Sequence, residues 1–202
     1  MELRRCFRKP IPEIYDIAKY MDAAVSAHNS GHFKVAEELF NIANNLEVRE
    51  WTESIWGKKS PYVNVQRNPS LHCNPKAKNR MPNMLMKKQL RARDGFHCRF
   101  CGIPVIRSEI RAYFHKIYPD AVPWGKTNIT QHAGFQCLWL QYDHVTPHSA
   151  GGENALENLI ITCGPCNFGK VNYSLGELRL IDPRDFHPII SSWDGLERAL
   201  KA

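Results

Sequence analysis

Residues 141–170 read QYDHVTPHSAGGENALENLIITCGPCNFGK, and the order of residue types in this stretch decides the fold. An extended segment ends in Asp143 and His144, Gly151 and Gly152 turn the chain, an apolar run follows at 159–162, and Cys163-Gly-Pro-Cys166 leads into a helix. The pattern predicts two short strands forming a hairpin, with a helix packed on it. Such packing brings the polar ends of the three elements together. Asp143 then offers a carboxylate, His144 an imidazole and Asn167 an amide oxygen from the facing helix. That set suffices for an oxygen-bound divalent ion with a base beside it.

Upstream, RDGFHCRFCG at 93–102 sets Cys98 and Cys101 at the same spacing as Cys163 and Cys166. Four thiolates in two knuckles predict a closed tetrahedral zinc site. Its role is structural, because four thiolates leave no open position for water. The metal would clamp the start of the module to its end and hold hairpin and helix in register. Cys6, Cys73 and Cys137 have no partner at this spacing and read as free packing thiols.

Taken jointly, RDG-x-x-C-x-x-C, DH-x-x-P-x-S-x-G-G, E-N-L and C-x-x-C-N-x-x-K resemble the HNH (ββα-metal) endonuclease superfamily in its four-cysteine form, over about residues 85–175. The fold implied is α+β: a small ββα-metal module stapled by the four-cysteine zinc site, with an N-terminal helical hairpin and a helical insert. The resemblance also implies a metal-dependent nuclease. His144 becomes the general base, Asp143 and Asn167 the ligands of the catalytic ion, and Asn158 a residue that orients the His144 imidazole through the backbone. Oxygen ligands favour Mg²⁺ or Mn²⁺ over zinc there. An imidazole with an ordinary pKa near about 6.5 is mostly neutral near pH 7 and can accept the proton. His148 is a further candidate ligand, and Lys170 either a phosphate contact or a cap for the helix C-terminus. Similar proteins serve restriction, phage defence, homing and DNA packaging. Two other readings stay open: a zinc-stapled nucleic-acid-binding module without catalysis, and an enzyme that cuts RNA.

Composition agrees with a polyanionic partner. Net charge is +7 with a pI near 9.1, which favours nucleic acid first and an acidic membrane surface second. The charge is unevenly spread: residues 54–93 contain no Asp or Glu but ten Lys and Arg. Asn and Pro punctuate the first part, so an extended basic arm is expected at 54–84. In that arm and the helix after it, Lys76, Lys78, Arg80, Lys87, Lys88, Arg91 and Arg93 are candidate contacts to the backbone of duplex DNA. Trp56 and Tyr62 would either stack on bases or pin the arm to the core.

The remaining expectations concern organisation. Residues 1–53 read as an N-terminal helical hairpin region, in which 11–47 form two amphipathic helices broken at 29–31, with the small and large positions of one tetratricopeptide-like repeat. A solenoid needs about three such units, so an ordinary hairpin packed on the rest is preferred to a protein-docking one. The module spans 85–175 and carries an insert at 102–142 with a helix at 108–118. Asn83 caps the helix that leads to the first knuckle. His115 and His132 read as packing residues, and 176–202 as a helical tail in which Trp193, Leu196 and Leu200 pack. The N-terminal MELRRCFRKP lacks the apolar core of a secretion signal, and no run of about eighteen apolar residues occurs. A cytoplasmic protein with no membrane partner is therefore expected.

Overall fold

The computed structural model describes residues 2–56, 60–63, 65 and 81–201. Pro12 opens helix α1 (Pro12–Asn29) at a position where its missing N–H costs nothing. Ile14, Ile17, Ala18, Met21, Ala24 and Val25 recur at helical spacing and form its buried face. Gly31, at φ +80°, turns the chain into α2 (Phe33–Ala43), whose Ala36, Phe40 and Ala43 lock onto α1. A third helix, α3 (Leu46–Ile55), extends beyond the expected pair. Asn45 caps it by accepting from the Val48 N–H at 3.0 Å, and Val48, Trp51, Thr52 and Ile55 face inward.

The inner side of this N-terminal unit packs on the insert. Fully buried His132 meets the Phe40 carbonyl through Nε2 at 2.8 Å and accepts from the Phe135 N–H at Nδ1, which makes Nε2 the donor. Burial lowers its pKa to about 4, so it stays neutral. Arg49 donates to the carbonyls of Asn128 and Gln131, at 2.6 and 2.8 Å. The insert holds α5 (Ser108–Ile117) and α6 (Ala133–Cys137). His115 contacts the Val122 carbonyl, so both insert histidines serve packing.

Helix α4 (Met84–Asp94) starts at the expected cap, where Asn83 accepts from the Met86 N–H at 2.9 Å. The hairpin follows the insert: β1 (Leu140–His144) pairs antiparallel with β2 (Leu159–Cys163), setting Asp143 opposite Ile160 and His144 opposite Leu159. Helix α7 (Gly164–Lys170) continues directly from β2, and α8 (Leu175–Leu178) opens with the Ser174 and Glu177 capping box. One contiguous apolar core runs from α1 through α5 to β2 and α7. The mixed α+β architecture with a two-stranded sheet is that expected. The tail differs in detail: Leu196 is buried and Trp193 half-buried, but Leu200 is exposed, because a single 3₁₀ turn (Glu197–Leu200) replaces the closing helix.

The 93–94 pair fastens α4 to the hairpin. Buried Asp94 receives Arg93 through Nε and an Nη, at 2.7 and 2.8 Å, and its second oxygen accepts the Ile161 N–H at 3.0 Å. Arg93 also donates to the carbonyls of Leu156 and Leu159, at 2.7 and 2.6 Å. Asp94→Ala removes the acceptor and strands a buried strand N–H beside two guanidinium groups. The expected loss is about 3 kcal/mol, or roughly 6–12 °C in Tm. A thermal melt within about a degree of wild type would remove the pair from the framework.

Candidate metal centre and catalytic site

Two sites flank the hairpin. The first is the thiol cluster. Gly102, at φ +80°, closes the first knuckle so that its N–H reaches the Cys98 carbonyl at 2.8 Å, while the Cys98 N–H meets the Ile103 carbonyl. The Arg99 N–H donates to the Ile161 carbonyl at 2.9 Å, which docks the knuckle on β2. The second knuckle is the start of α7, where the Cys163 sulfur accepts from the Cys166 N–H. The Sγ atoms of Cys98, Cys101, Cys163 and Cys166 all lie within 4.8 Å of one another, with Cys101 and Cys163 at 3.6 Å. A zinc ion with bonds of about 2.3 Å needs sulfur separations near about 3.8 Å, so the donor set and its spacing fit zinc. Burial alone raises a thiol pKa, yet hydrogen bonds from the other three thiols hold Cys98 well below the ordinary range. Cys101, Cys163 and Cys166 are raised. The protein thus gathers four sulfurs, of which Cys98 is favoured as a thiolate, and a bound cation would favour deprotonation of the other three.

The second site lies at the far end of β1. Successive strand residues point to opposite faces, so Asp143 and His144 diverge. Each is only 7% exposed. On the Asp143 side stands Lys170 of α7, fully buried, with Nζ 2.6 Å from the His144 carbonyl and 3.4 Å from each Asp143 oxygen. Lys170 is therefore not available as a phosphate contact: its ammonium ties the end of β1 to α7. Burial pushes the Asp143 carboxyl up to about 6, against the pull of Lys170. Burial also lowers Lys170, against the pull of Asp143. Asp143 Oδ2 accepts no hydrogen bond among the described residues. That oxygen, with the Lys170 ammonium at 3.4 Å but no hydrogen bond, is a donor of the kind a hard cation takes. Asn167, half-buried, stands three positions before Lys170 on α7.

The loop between the strands is closed by Asn158. Its Oδ1 accepts from the Thr146 N–H at 2.8 Å, and its Nδ2 donates to the carbonyls of Thr146 and Glu153, at 3.1 and 2.9 Å. The Asn158 carbonyl also accepts from the Val145 N–H, extending the ladder past His144. Both glycines have reasons: Gly151 adopts φ +86°, and a Cβ on Gly152 would lie 1.9 Å from the Thr146 carbonyl oxygen. The turn His148–Ala150 sets the His148 ring 5.8 Å from that of His144.

The basic candidates divide. Lys76, Lys78 and Arg80 lie outside the described residues, as do Cys73 and most of the 54–84 arm. Lys88 is exposed on α4, Lys87 sits over the Tyr142 ring, and Arg91 donates to the Tyr142 hydroxyl at 2.8 Å. Arg93 is a framework residue, its guanidinium taken up by Asp94 and two carbonyls. Trp56 packs edge-on against Phe168, and the Arg8 guanidinium lies over Tyr62, so both aromatics pin their segment to the core. Sequence reasoning passed over Asp94 and Tyr142. The Arg-Asp-Gly immediately before the first knuckle was the available signal for Asp94.

No helix among the described residues is long and apolar enough to cross a membrane. No curated protein and no solved structure gives a significant match to the chain. The family model described as HNH endonuclease matches residues 135–172, which contain β1, the Asn158-closed loop, β2, α7 and the second thiol knuckle. The match to the HNH endonuclease family thus covers residues 135–172, and beside it the first knuckle completes a four-sulfur cluster consistent with a zinc form.

Proposed function

We propose that the chain is a metal-dependent HNH-type endonuclease that hydrolyses phosphodiester bonds in duplex DNA. The observation that supports this most is the end of β1, where a buried carboxylate with one oxygen lacking a hydrogen bond and the imidazole next to it in sequence sit on a strand fixed from three sides. Lys170 fixes it through the His144 carbonyl, β2 through the register, and Asn158 through the loop.

In this reading His144 accepts the proton of the attacking water. Asp143 and Asn167 hold Mg²⁺ or Mn²⁺, which when bound would offset charge on the scissile phosphate and the departing oxygen. Asn158 is a positioning residue, since its three side-chain hydrogen bonds all go to the backbone of the loop that follows His144. Lys170 keeps β1 against α7, the helix that carries Asn167. The thiol cluster holds zinc and takes no part in chemistry. The presence of Asp143, His144, Asn158 and Asn167 together favours this reading over an inactive binding module.

DNA is preferred to RNA by assignment of the basic α4 surface to a duplex backbone. The test is cleavage of supercoiled plasmid and of a structured RNA by the same zinc-loaded protein in Mg²⁺. Plasmid nicking without RNA cleavage is expected. RNA cleavage with intact plasmid would transfer the same machinery to the other polymer.

A further inference from the structure

The start of α4 exposes Met81, Met84 and Leu85 at 59, 71 and 65% of their surface. Three large apolar side chains open to water within five residues need a reason in a segment otherwise rich in charge. Met84 and Leu85 lie on the side of the helix that Lys88 continues one turn later, and Met81 stands just before the cap. The tip is held firmly. Pro82 is buried, Asn83 caps the helix, and Asn154 donates to the Met81 carbonyl at 3.1 Å.

These anchors also say where the tip points. Asn154 belongs to the loop that follows His144, and at the other end of α4 Arg93 grips the Leu156 carbonyl of the same loop. Between them, Lys87 and Arg91 reach Tyr142, which shares the His144 face of β1 by strand alternation. Helix α4 therefore lies along the loop and face that carry the proposed base, with its apolar end projecting beyond them.

We propose that Met81, Met84 and Leu85 form a wedge that enters the minor groove of duplex DNA and unstacks a base step beside the phosphate to be cut. This rests on the nuclease reading above. Charge selects the occupant: residues 54–93 contain no acid, and the sole acid of α4, Asp94, is buried and paired. A phosphate backbone is drawn to Lys88 and its neighbours, which leaves the apolar tip facing the groove. Apolar side chains inserted between base steps kink a duplex, and methionine adapts its shape to such a gap. Unstacking would present the phosphate away from the regular helix, toward Asp143 and His144.

The test uses the full chain carrying His144→Ala, so that DNA stays intact, and a short duplex with a fluorophore at each end. Energy transfer should report a bend on binding, and Met84→Ala with Leu85→Ala should abolish the bend while leaving the salt dependence of affinity unchanged. A duplex with a single mismatch, already partly unstacked, should bind the parent about tenfold or more tighter than the intact duplex. That preference should vanish in the double variant. Both side chains are exposed, and an unchanged melting curve checks that the fold survives. Cleavage by wild-type protein with no bend, or a bend that persists in the double variant, would overturn the wedge and leave the nuclease standing. Absence of DNA binding would overturn both. Binding to phosphatidylserine vesicles that the double variant loses, without bending of DNA, would reassign the tip to a membrane surface.

Discussion

His144→Ala lowers the single-turnover rate of plasmid nicking by roughly 10²- to 10⁴-fold, the usual worth of a general base. The substitution removes the proton acceptor but none of the zinc ligands and none of the basic surface. DNA affinity and the melting curve therefore stay near wild type. His144 pairs with Leu159 through its backbone, and its carbonyl receives Lys170, so alanine keeps both the ladder and the tie to α7. Asp143→Ala is expected to fall at least as far, since it removes an ion ligand and leaves buried Lys170 without its counter-charge. Asn158→Ala loses less, because the imidazole survives and only its loop is loosened. A His144→Ala protein that nicks as fast as wild type would strip the residue of its assigned role.

Cys98→Ser abolishes folding at ordinary temperatures and leaves the protein without its zinc. Structural zinc in small modules carries about 10–16 kcal/mol of apparent binding energy, against a net domain stability of about 5–15 kcal/mol. Even a modest share of that energy exceeds the margin. The knuckle at 98–101 is joined to β2 by the Arg99 N–H and meets the opposite knuckle at the sulfurs, so losing the metal loosens the hairpin that carries Asp143 and His144. Elemental analysis should find about one zinc per wild-type chain and far less in the variant. Cys6→Ser, outside the cluster, should keep its zinc. Wild-type protein that purifies folded without zinc would contradict the assignment.

Much of the site was legible because its signals are local. Spacing alone marks Cys98, Cys101, Cys163 and Cys166, and the run from Asp143 through Gly151 and Gly152 to Leu159 specifies a hairpin whatever lies around it. Asn83 announced a helix start by a side chain that acts within three residues. What escaped depends on distant partners. Arg93 looked like one more cation of a basic arm, but Asp94 and the Leu156 and Leu159 carbonyls consume its donors. Lys170 read as either a phosphate contact or a cap for the helix C-terminus, both exposed roles, because a lysine is rarely buried whole. Only the fold shows it wedged between α7 and β1, its charge answered by Asp143. The same holds for α3, whose apolar positions Val48, Trp51 and Ile55 needed only Asn45 as a cap to be read, and for Leu200, which a shortened final turn leaves outside the core.

The most direct measurement is strand scission by wild-type protein whose zinc content has been verified. Supercoiled plasmid is mixed with protein briefly treated with EDTA, then Mg²⁺ or Mn²⁺ is added and nicked product is followed in time. The account predicts no product before the ion and prompt nicking after it, with zinc retained throughout. Protein that binds the plasmid, holds its zinc and never cuts in either ion would contradict the nuclease assignment and leave a zinc-stapled nucleic-acid-binding module.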